Sequence, residues 1–154
     1  MSPAPRRPVV ILMADDDEDD RLLAREALAE ARVPGDFRSV PDGERLLDYL
    51  YQREQYADPV RAPRPGLVLL DLNMPRMDGR EALRRIRADP AFRSLPVVVM
   101  TTSRAASDVA RGYESGANTV ITKPVTFDGM VDVMRALGRY WLEVAELPPA
   151  SGSP

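Results

Sequence analysis

Neither cysteine nor histidine occurs among the 154 residues of this chain. The first absence excludes disulfides, thiolate nucleophiles and cysteine-ligated zinc. The second removes the commonest general base and the commonest transition-metal ligand. Chemistry here must use carboxylates, lysine, serine, threonine or tyrosine, and any bound metal should be a hard, oxygen-seeking ion. Long apolar runs are also missing. The longest, Val9 to Ala14 and Val97 to Met100, are far too short to cross a bilayer, so no membrane partner is expected. The Pro- and Arg-rich start, Met1 to Pro8, has no apolar signal core behind it, and a cytoplasmic location is expected. A net charge of −3 provides no global attraction to nucleic acid, and Arg84, Arg85 and Arg87 have the spacing of a solvated helix face. No nucleic-acid partner is expected.

What is present is an alternation of two periods. Val9 to Ala14 is a continuous apolar run ended by acids, as in a strand buried on both faces. Asp19 to Arg32 carries Leu22, Leu23, Ala27, Leu28 and Ala31 at helical spacing and closes at Pro34-Gly35. Phe37 to Val40 reads as a short strand, and Asp42 as the cap of a helix carrying Leu46, Leu47, Leu50 and Tyr51. Ala57 to Gly66, with Pro59, Pro63 and Pro65, reads as a loop. Leu67 to Leu70 is a further buried strand ended by Asp71. Asn73 to Gly79 is turn-rich, and Arg80 to Ala88 is helical. A strand over Pro96 to Thr101, a helix over Ser103 to Ser115, a strand over Thr119 to Thr122 and a long helix over Phe127 to Glu146 complete the pattern.

Strands alternating with helices through long connections imply a parallel sheet covered on both faces. Five strands predict an α/β fold: a flavodoxin-like, doubly wound five-stranded parallel sheet in the order 2-1-3-4-5, with an extended C-terminal helix. One domain is expected over residues 9–147, after a flexible segment 1–8 and before a disordered tail 148–154.

In such a sheet, ligands bind beyond the carboxyl ends of the strands. Asp15, Asp16 and Asp17 follow the first strand, Asp71 the third, Thr101 ends the fourth, and Lys123-Pro124 follow the fifth. Taken singly, each has an ordinary explanation: a helix cap for Asp16 or Asp17, a turn cap for Asp71, a strand-end hydroxyl for Thr101, a surface lysine for Lys123. Their joint placement at neighbouring strand ends favours another one. Asp15, Asp16 and Asp71 should converge in one crevice, where their mutual repulsion would be relieved by Mg²⁺. Lys123 adds a positive charge and Thr101 a hydroxyl donor, so the set is similar to a phosphoryl-transfer cradle with a carboxylate nucleophile.

With these residues in place, the chain resembles the response-regulator receiver family. The matching pieces are Ala14-Asp-Asp16, Leu70-Asp-Leu-Asn-Met-Pro75 with Met77-Asp-Gly79, Val99-Met-Thr-Thr102, and Ile121-Thr-Lys-Pro124. The resemblance implies that Asp71 is the phosphoacceptor, that Asp15 and Asp16 help hold Mg²⁺, and that Asn73 supplies a backbone carbonyl to it. It further implies that Thr101 and Lys123 contact the phosphoryl oxygens, and that the bond before Pro124 is cis, aiming the lysine inward. The Pro-rich insertion and the Trp141-Leu-Glu-Val144 tail resemble a narrower group, the single-domain regulators that work with phytochrome-type sensor kinases.

Two positions depart from the family pattern. The switch residue, usually an aromatic three places before the lysine, is Val120, which leaves the route from Thr101 to an output open. The usually small residue after Thr101 is Thr102, whose methyl group we expect to restrict access to the phosphoryl group and slow its hydrolysis.

The expected function is that of a single-domain response regulator of a two-component phosphorelay, not an enzyme beyond its own phosphorylation and slow dephosphorylation. Alternatives are a metal-dependent phosphatase that forms an aspartyl phosphate, and a phosphorylation-independent adaptor. The phosphatase needs a general acid two residues after the nucleophile, where this chain has Asn73. An EF-hand-like spacing of Asp15, Asp17, Asp19 and Glu26 fails at Asp20, where that loop requires glycine. Without histidine the chain cannot donate to itself through phosphohistidine, so a separate histidine kinase is the expected partner. Its expected docking surface is the first helix (Leu22, Leu23, Ala24, Ala27), although core packing accounts for several of these. With no effector domain following, output is expected through binding. The apolar residues Phe127, Met130, Val131, Val133, Met134, Leu137, Tyr140, Trp141, Leu142 and Val144 cover more than one helical face, which suggests a homodimer through this region.

Overall fold

A computed structural model describes residues 8–149. Apart from Pro8, Pro148 and Pro149, the expected flexible start and disordered tail therefore lie outside the described residues. The elements run β1 (Val9–Ala14), α1 (Glu18–Glu30), β2 (Gly35–Val40), α2 (Gly43–Leu50), β3 (Leu67–Asp71), α3 (Gly79–Ala88), β4 (Val97–Thr101), α4 (Ala106–Glu114), β5 (Thr119–Thr122) and α5 (Phe127–Gly138). All neighbouring strands pair in parallel, in the order β2-β1-β3-β4-β5. The chain has the flavodoxin-like, doubly wound α/β fold.

Alternation of side chains along each strand divides the core in two. Leu12, Ala14, Val68, Leu70, Val97 and Val99 face α2 and α3, where Leu46, Leu47, Leu83 and Ile86 cover them. Ile11, Met13, Leu67, Leu69, Val98 and Met100 face α1 and α5, under Ala24, Ala27, Leu28, Met130, Met134 and Leu137. The continuous apolar runs are what a strand covered on both faces requires. Short polar side chains start the helices: Asp17 Oδ1 accepts from Asp19 and Asp20 N–H, Asp42 from Arg45, Asp78 from Glu81, and Thr126 from Gly129. Asp17 is thus a cap, and the acidic run after β1 enters a helix at once instead of forming a calcium loop.

Several boundaries and faces differ from the sequence expectation. β2 begins at Gly35, because Gly35 and Asp36 already pair with Val9 and Val10. α4 begins at Ala106 and not at Ser103, because Ser103 is committed to the loop: its N–H donates to Thr101 Oγ1 and its hydroxyl donates to Asp108. The final helix stays α-helical only to Gly138. Arg139–Val144 winds more widely, and Ala145 N–H closes it on the Tyr140 carbonyl. Much of its apolar surface is used internally: Met130, Val131, Met134 and Leu137 are buried, while Val133, Trp141 and Leu142 are partly buried against the core that Ala31 and Val33 also join. Phe127, Tyr140 and Val144 stay exposed. Ala24 and Ala27 are fully buried and drop out as docking residues, whereas Leu22 is exposed.

Candidate functional site

The carboxyl ends of β1, β3, β4 and β5 meet at one edge of the sheet, and each delivers a polar side chain there. Asp15 follows β1 with no solvent exposure. Its N–H donates to the Val40 carbonyl, and its own carbonyl accepts from Arg21 Nη1 at 2.7 Å, which fixes the turn into α1. Its Oδ1 accepts from Asp17 N–H at 2.9 Å. Asp71 ends β3 and is buried, with Oδ1 accepting from Asn73 N–H at 3.1 Å. Gly79 starts α3 directly on the Asp71 carbonyl, where a Cβ would strike that oxygen and lie 2.7 Å from Leu72 Cα. Glycine is therefore required for this close approach.

Asp15, exposed Asp16 and Asp71 each present a carboxylate oxygen, all within 4.8 Å of one another. Thr101 ends β4, buried, and its Oγ1 accepts from Ser103 N–H at 3.1 Å, which leaves the hydroxyl proton available. Lys123 continues the β5 direction, its N–H donating to the Thr101 carbonyl at 2.7 Å. Its Nζ lies 2.6 Å from Asp15 Oδ2, 2.6 Å from Asp20 Oδ2 and 3.8 Å from Asp71 Oδ2.

The structure thus assembles Asp15, Asp16, Asp71 and Lys123, with Thr101 at the end of the neighbouring strand β4 and Asn73 on the exposed loop beside Asp71. It corrects one expectation: no cis peptide bond occurs among the described residues, so the bond before Pro124 is trans. The lysine is aimed inward by strand register and ion pairing, and the trans isomer keeps its usual advantage of about 0.5–1 kcal/mol. Val120 lies outside the acidic group. Its side chain packs on the α2–α3 core, Gly112 of α4 leaves room for it, and its N–H donates to Tyr113 Oη at 3.2 Å.

Asp20 was not singled out as a site residue by sequence. The signal lay in the cap: with Asp17 at the N-cap, Asp20 falls in the first turn of α1, beside the strand end that Asp17 follows.

Burial pushes the Asp71 carboxyl above its ordinary pKa, and the negative charges of Asp15 and Asp16 act in the same sense. The Asn73 N–H and the Lys123 ammonium oppose them. Burial disfavours the Lys123 charge, but the contacts with Asp15 and Asp20 and the nearby Asp71 outweigh it and hold the ammonium well above the usual lysine range. One ammonium among four carboxylates leaves excess negative charge in a partly buried site. An all-oxygen donor set of this kind fits a hard divalent cation such as Mg²⁺.

Residues 11–135 match the family of the response regulator receiver domain. Rcp1, a response regulator of Synechocystis, is 35% identical over 97% of this chain and 100% of its own length. The structure of the Mn²⁺-bound form of Rcp1 superposes with a TM-score of 0.81 over 92% of this chain and 100% of that one. RPA3017, a response regulator in red light signaling of R. palustris, is 40% identical with a TM-score of 0.88 over 92% of this chain and 99% of that one. The phosphorylated cyanobacterial phytochrome response regulator RcpA is 37% identical with a TM-score of 0.83, over the same shares. Shared sequence along nearly the whole length, on one sheet order, makes this chain a member of the response regulator receiver family.

Proposed function

We propose that the chain is a single-domain response regulator of a two-component phosphorelay that takes a phosphoryl group from a histidine kinase on Asp71. The observation that carries this is the position of Asp71: buried, at a strand end, with the Lys123 ammonium 3.8 Å away and Asp15 and Asp16 beside it. In the transfer, an Asp71 carboxylate oxygen forms the new P–O bond as the P–N bond of the kinase phosphohistidine breaks, and the imidazole departs to take a proton. Catalysis of this kind is mostly positioning and charge stabilisation. Asp15, Asp16, Asp71 and the Asn73 carbonyl would hold Mg²⁺, which when bound neutralises charge on the phosphoryl oxygens. Lys123 supplies a second positive charge. The Thr101 hydroxyl, already accepting from Ser103, donates its proton to a phosphoryl oxygen.

That donation gives a route to an output that needs no aromatic at Val120. Ser103 joins Thr101 to Asp108 on α4 (Ser103 Oγ to Asp108 Oδ2, 2.6 Å), and Asp108 faces Arg80 of α3 at 3.9 Å. Movement of Thr101 toward a phosphoryl group would pull on this chain of contacts at the start of α4.

The kinase is a phytochrome-type sensor, a proposal supported by the red-light and phytochrome regulators that this chain resembles. It docks against α1 through exposed Leu22. Exposed Phe127, Tyr140 and Val144 support a homodimer through the C-terminal helical region, which sedimentation with and without a phosphoryl mimic tests. The chain is not an enzyme beyond its own phosphorylation and slow dephosphorylation: Asn73 cannot act as the general acid of a phosphatase.

The deciding experiment is incubation with Mg²⁺ and acetyl phosphate, followed by intact mass. One phosphoryl adduct is expected on the wild type and none on Asp71→Asn. An adduct on both, or multiple-turnover hydrolysis of phosphate esters, overturns the assignment.

A further inference from the structure

Lys123 stands closer to Asp20 than to the residue it is meant to assist. Its Nζ is 2.6 Å from Asp15 Oδ2 and 2.6 Å from Asp20 Oδ2, but 3.8 Å from Asp71 Oδ2, beyond hydrogen-bond distance. An ammonium has three donors, and two of them are directed at acids from β1 and the first turn of α1. Asp20 is not one of the three carboxylates that converge as a metal-binding group. Its backbone is anchored, since Asp20 N–H donates to the Asp17 cap at 3.3 Å, and its side chain is one-third exposed. Asp15 cannot be the sole holder of Lys123, because the same carboxylate belongs to the converging group.

We propose that Asp20 is a positioning residue that acts through Lys123: its carboxylate competes with the phosphoryl group for the ammonium and restrains the lysine while Asp71 is unmodified. This rests on the assignment of Asp71 as phosphoacceptor and adds a control on it. When Asp15 is engaged by a cation, Asp20 is the remaining close partner of Lys123. Binding of a phosphoryl group then requires Lys123 to move away from Asp20 toward Asp71. The strength of that contact sets how tightly the site holds the phosphoryl group.

The test is a double-mutant cycle read by calorimetric titration of beryllofluoride, a phosphoryl mimic, at saturating Mg²⁺ for each protein. The four proteins are wild type, Asp20→Asn, Lys123→Gln and the double variant, with titrations of the Lys123→Gln pair extended to high beryllofluoride. Asp20→Asn is expected to tighten binding about tenfold, the scale of one charge-assisted contact. In the Lys123→Gln background the same change should have little effect, and Asp20→Glu should restore wild-type affinity. Equal tightening in both backgrounds would mean that Asp20 acts through its field alone, which overturns the proposal. So does unchanged or weaker binding in Asp20→Asn. Should Asp20→Asn not fold, Asp20→Ser carries the same comparison. A wild type that takes no beryllofluoride overturns the phosphoacceptor assignment and this proposal together, whereas a responsive wild type with an unresponsive Asp20→Asn overturns this proposal alone.

Discussion

Replacing Arg87 by methionine tests whether one guanidinium joins two loops at the end of the sheet opposite the acids. Arg87 lies near the end of α3, and its Nε donates to the Gly116 carbonyl at 2.8 Å. Its Nη1 reaches the carbonyls of Arg93 at 2.9 Å and Leu95 at 2.7 Å, with Phe92 at 3.3 Å. Its Nη2 donates to Asn118 Oδ1 at 2.8 Å, and that oxygen also accepts from Val97 N–H at the start of β4. The α3–β4 and α4–β5 connections therefore share one cation.

Hydrogen bonds made by a charged donor are worth about 1.5–3 kcal/mol each, but they do not add, and the freed carbonyls regain water. Methionine also removes the cost of burying the charge, a burial that holds the Arg87 pKa below its usual value. The net loss is expected to be about 3 kcal/mol, equivalent to a Tm lower by about 6–12 °C for a chain of this size. Arg87→Lys should recover less than half of it, because a compact ammonium cannot span acceptors that a planar fork reaches. Thermal unfolding by circular dichroism gives the Tm, and acetyl phosphate labelling at low temperature should remain, since the acids sit at the other end of the strands. A Tm within about 2 °C of wild type, or a lysine variant as stable as wild type, refutes the reasoning.

Asp71 has a raised pKa, so its ionisation opposes folding: that contribution to stability is present at acid pH and lost as pH rises through the folded-state value. At pH 7 with chelator, Asp71→Asn should therefore melt above wild type, and added Mg²⁺ should reverse the order by stabilising wild type more, by about 2.7 kcal/mol at a hundredfold excess over Kd. A variant that melts below wild type in chelator contradicts this account of the site. Gly79→Ala forces a methyl group against the Asp71 carbonyl and the Leu72 backbone, which cannot yield as a side chain does. It should cost about 1–3 kcal/mol in urea unfolding and also lower phosphoryl labelling, because α3 must shift away from the acceptor strand. Thr102 is exposed and directly follows Thr101, and Thr102→Ala should shorten the aspartyl-phosphate lifetime measured by intact mass over time. An unchanged lifetime shows that Thr102 does not shield the phosphoryl group.

Strand positions and sheet order were legible because β1, β3 and β4 are continuous apolar runs, which a sheet covered on both faces demands. The acids were legible because strand ends in this order must meet at one edge, which is where Asp15, Asp16 and Asp71 converge. What was hidden depends on side-chain competition that periodicity does not encode. Ser103 would extend α4 by propensity alone, but its hydroxyl and N–H are taken by Asp108 and Thr101. Trp141 and Leu142 look like surplus apolar surface until α5 is placed beside α1, where both are partly buried against the core that the two helices share.

The inward aim of Lys123 shows the same thing at the site itself. An isomer at Pro124 is a local property of the kind a motif encodes, whereas the structure achieves the aim with a trans bond through three long-range constraints. These are the ladder bond to Thr101, the ion pair with Asp15 across 108 residues of sequence, and the ion pair with Asp20. One of these partners follows the first strand, one lies in the first turn of α1 and one ends the fourth strand. The charge facing Asp71 is therefore set by how β1, α1 and β4 pack, and a substitution that shifts any of them should change phosphoryl affinity without touching Asp71.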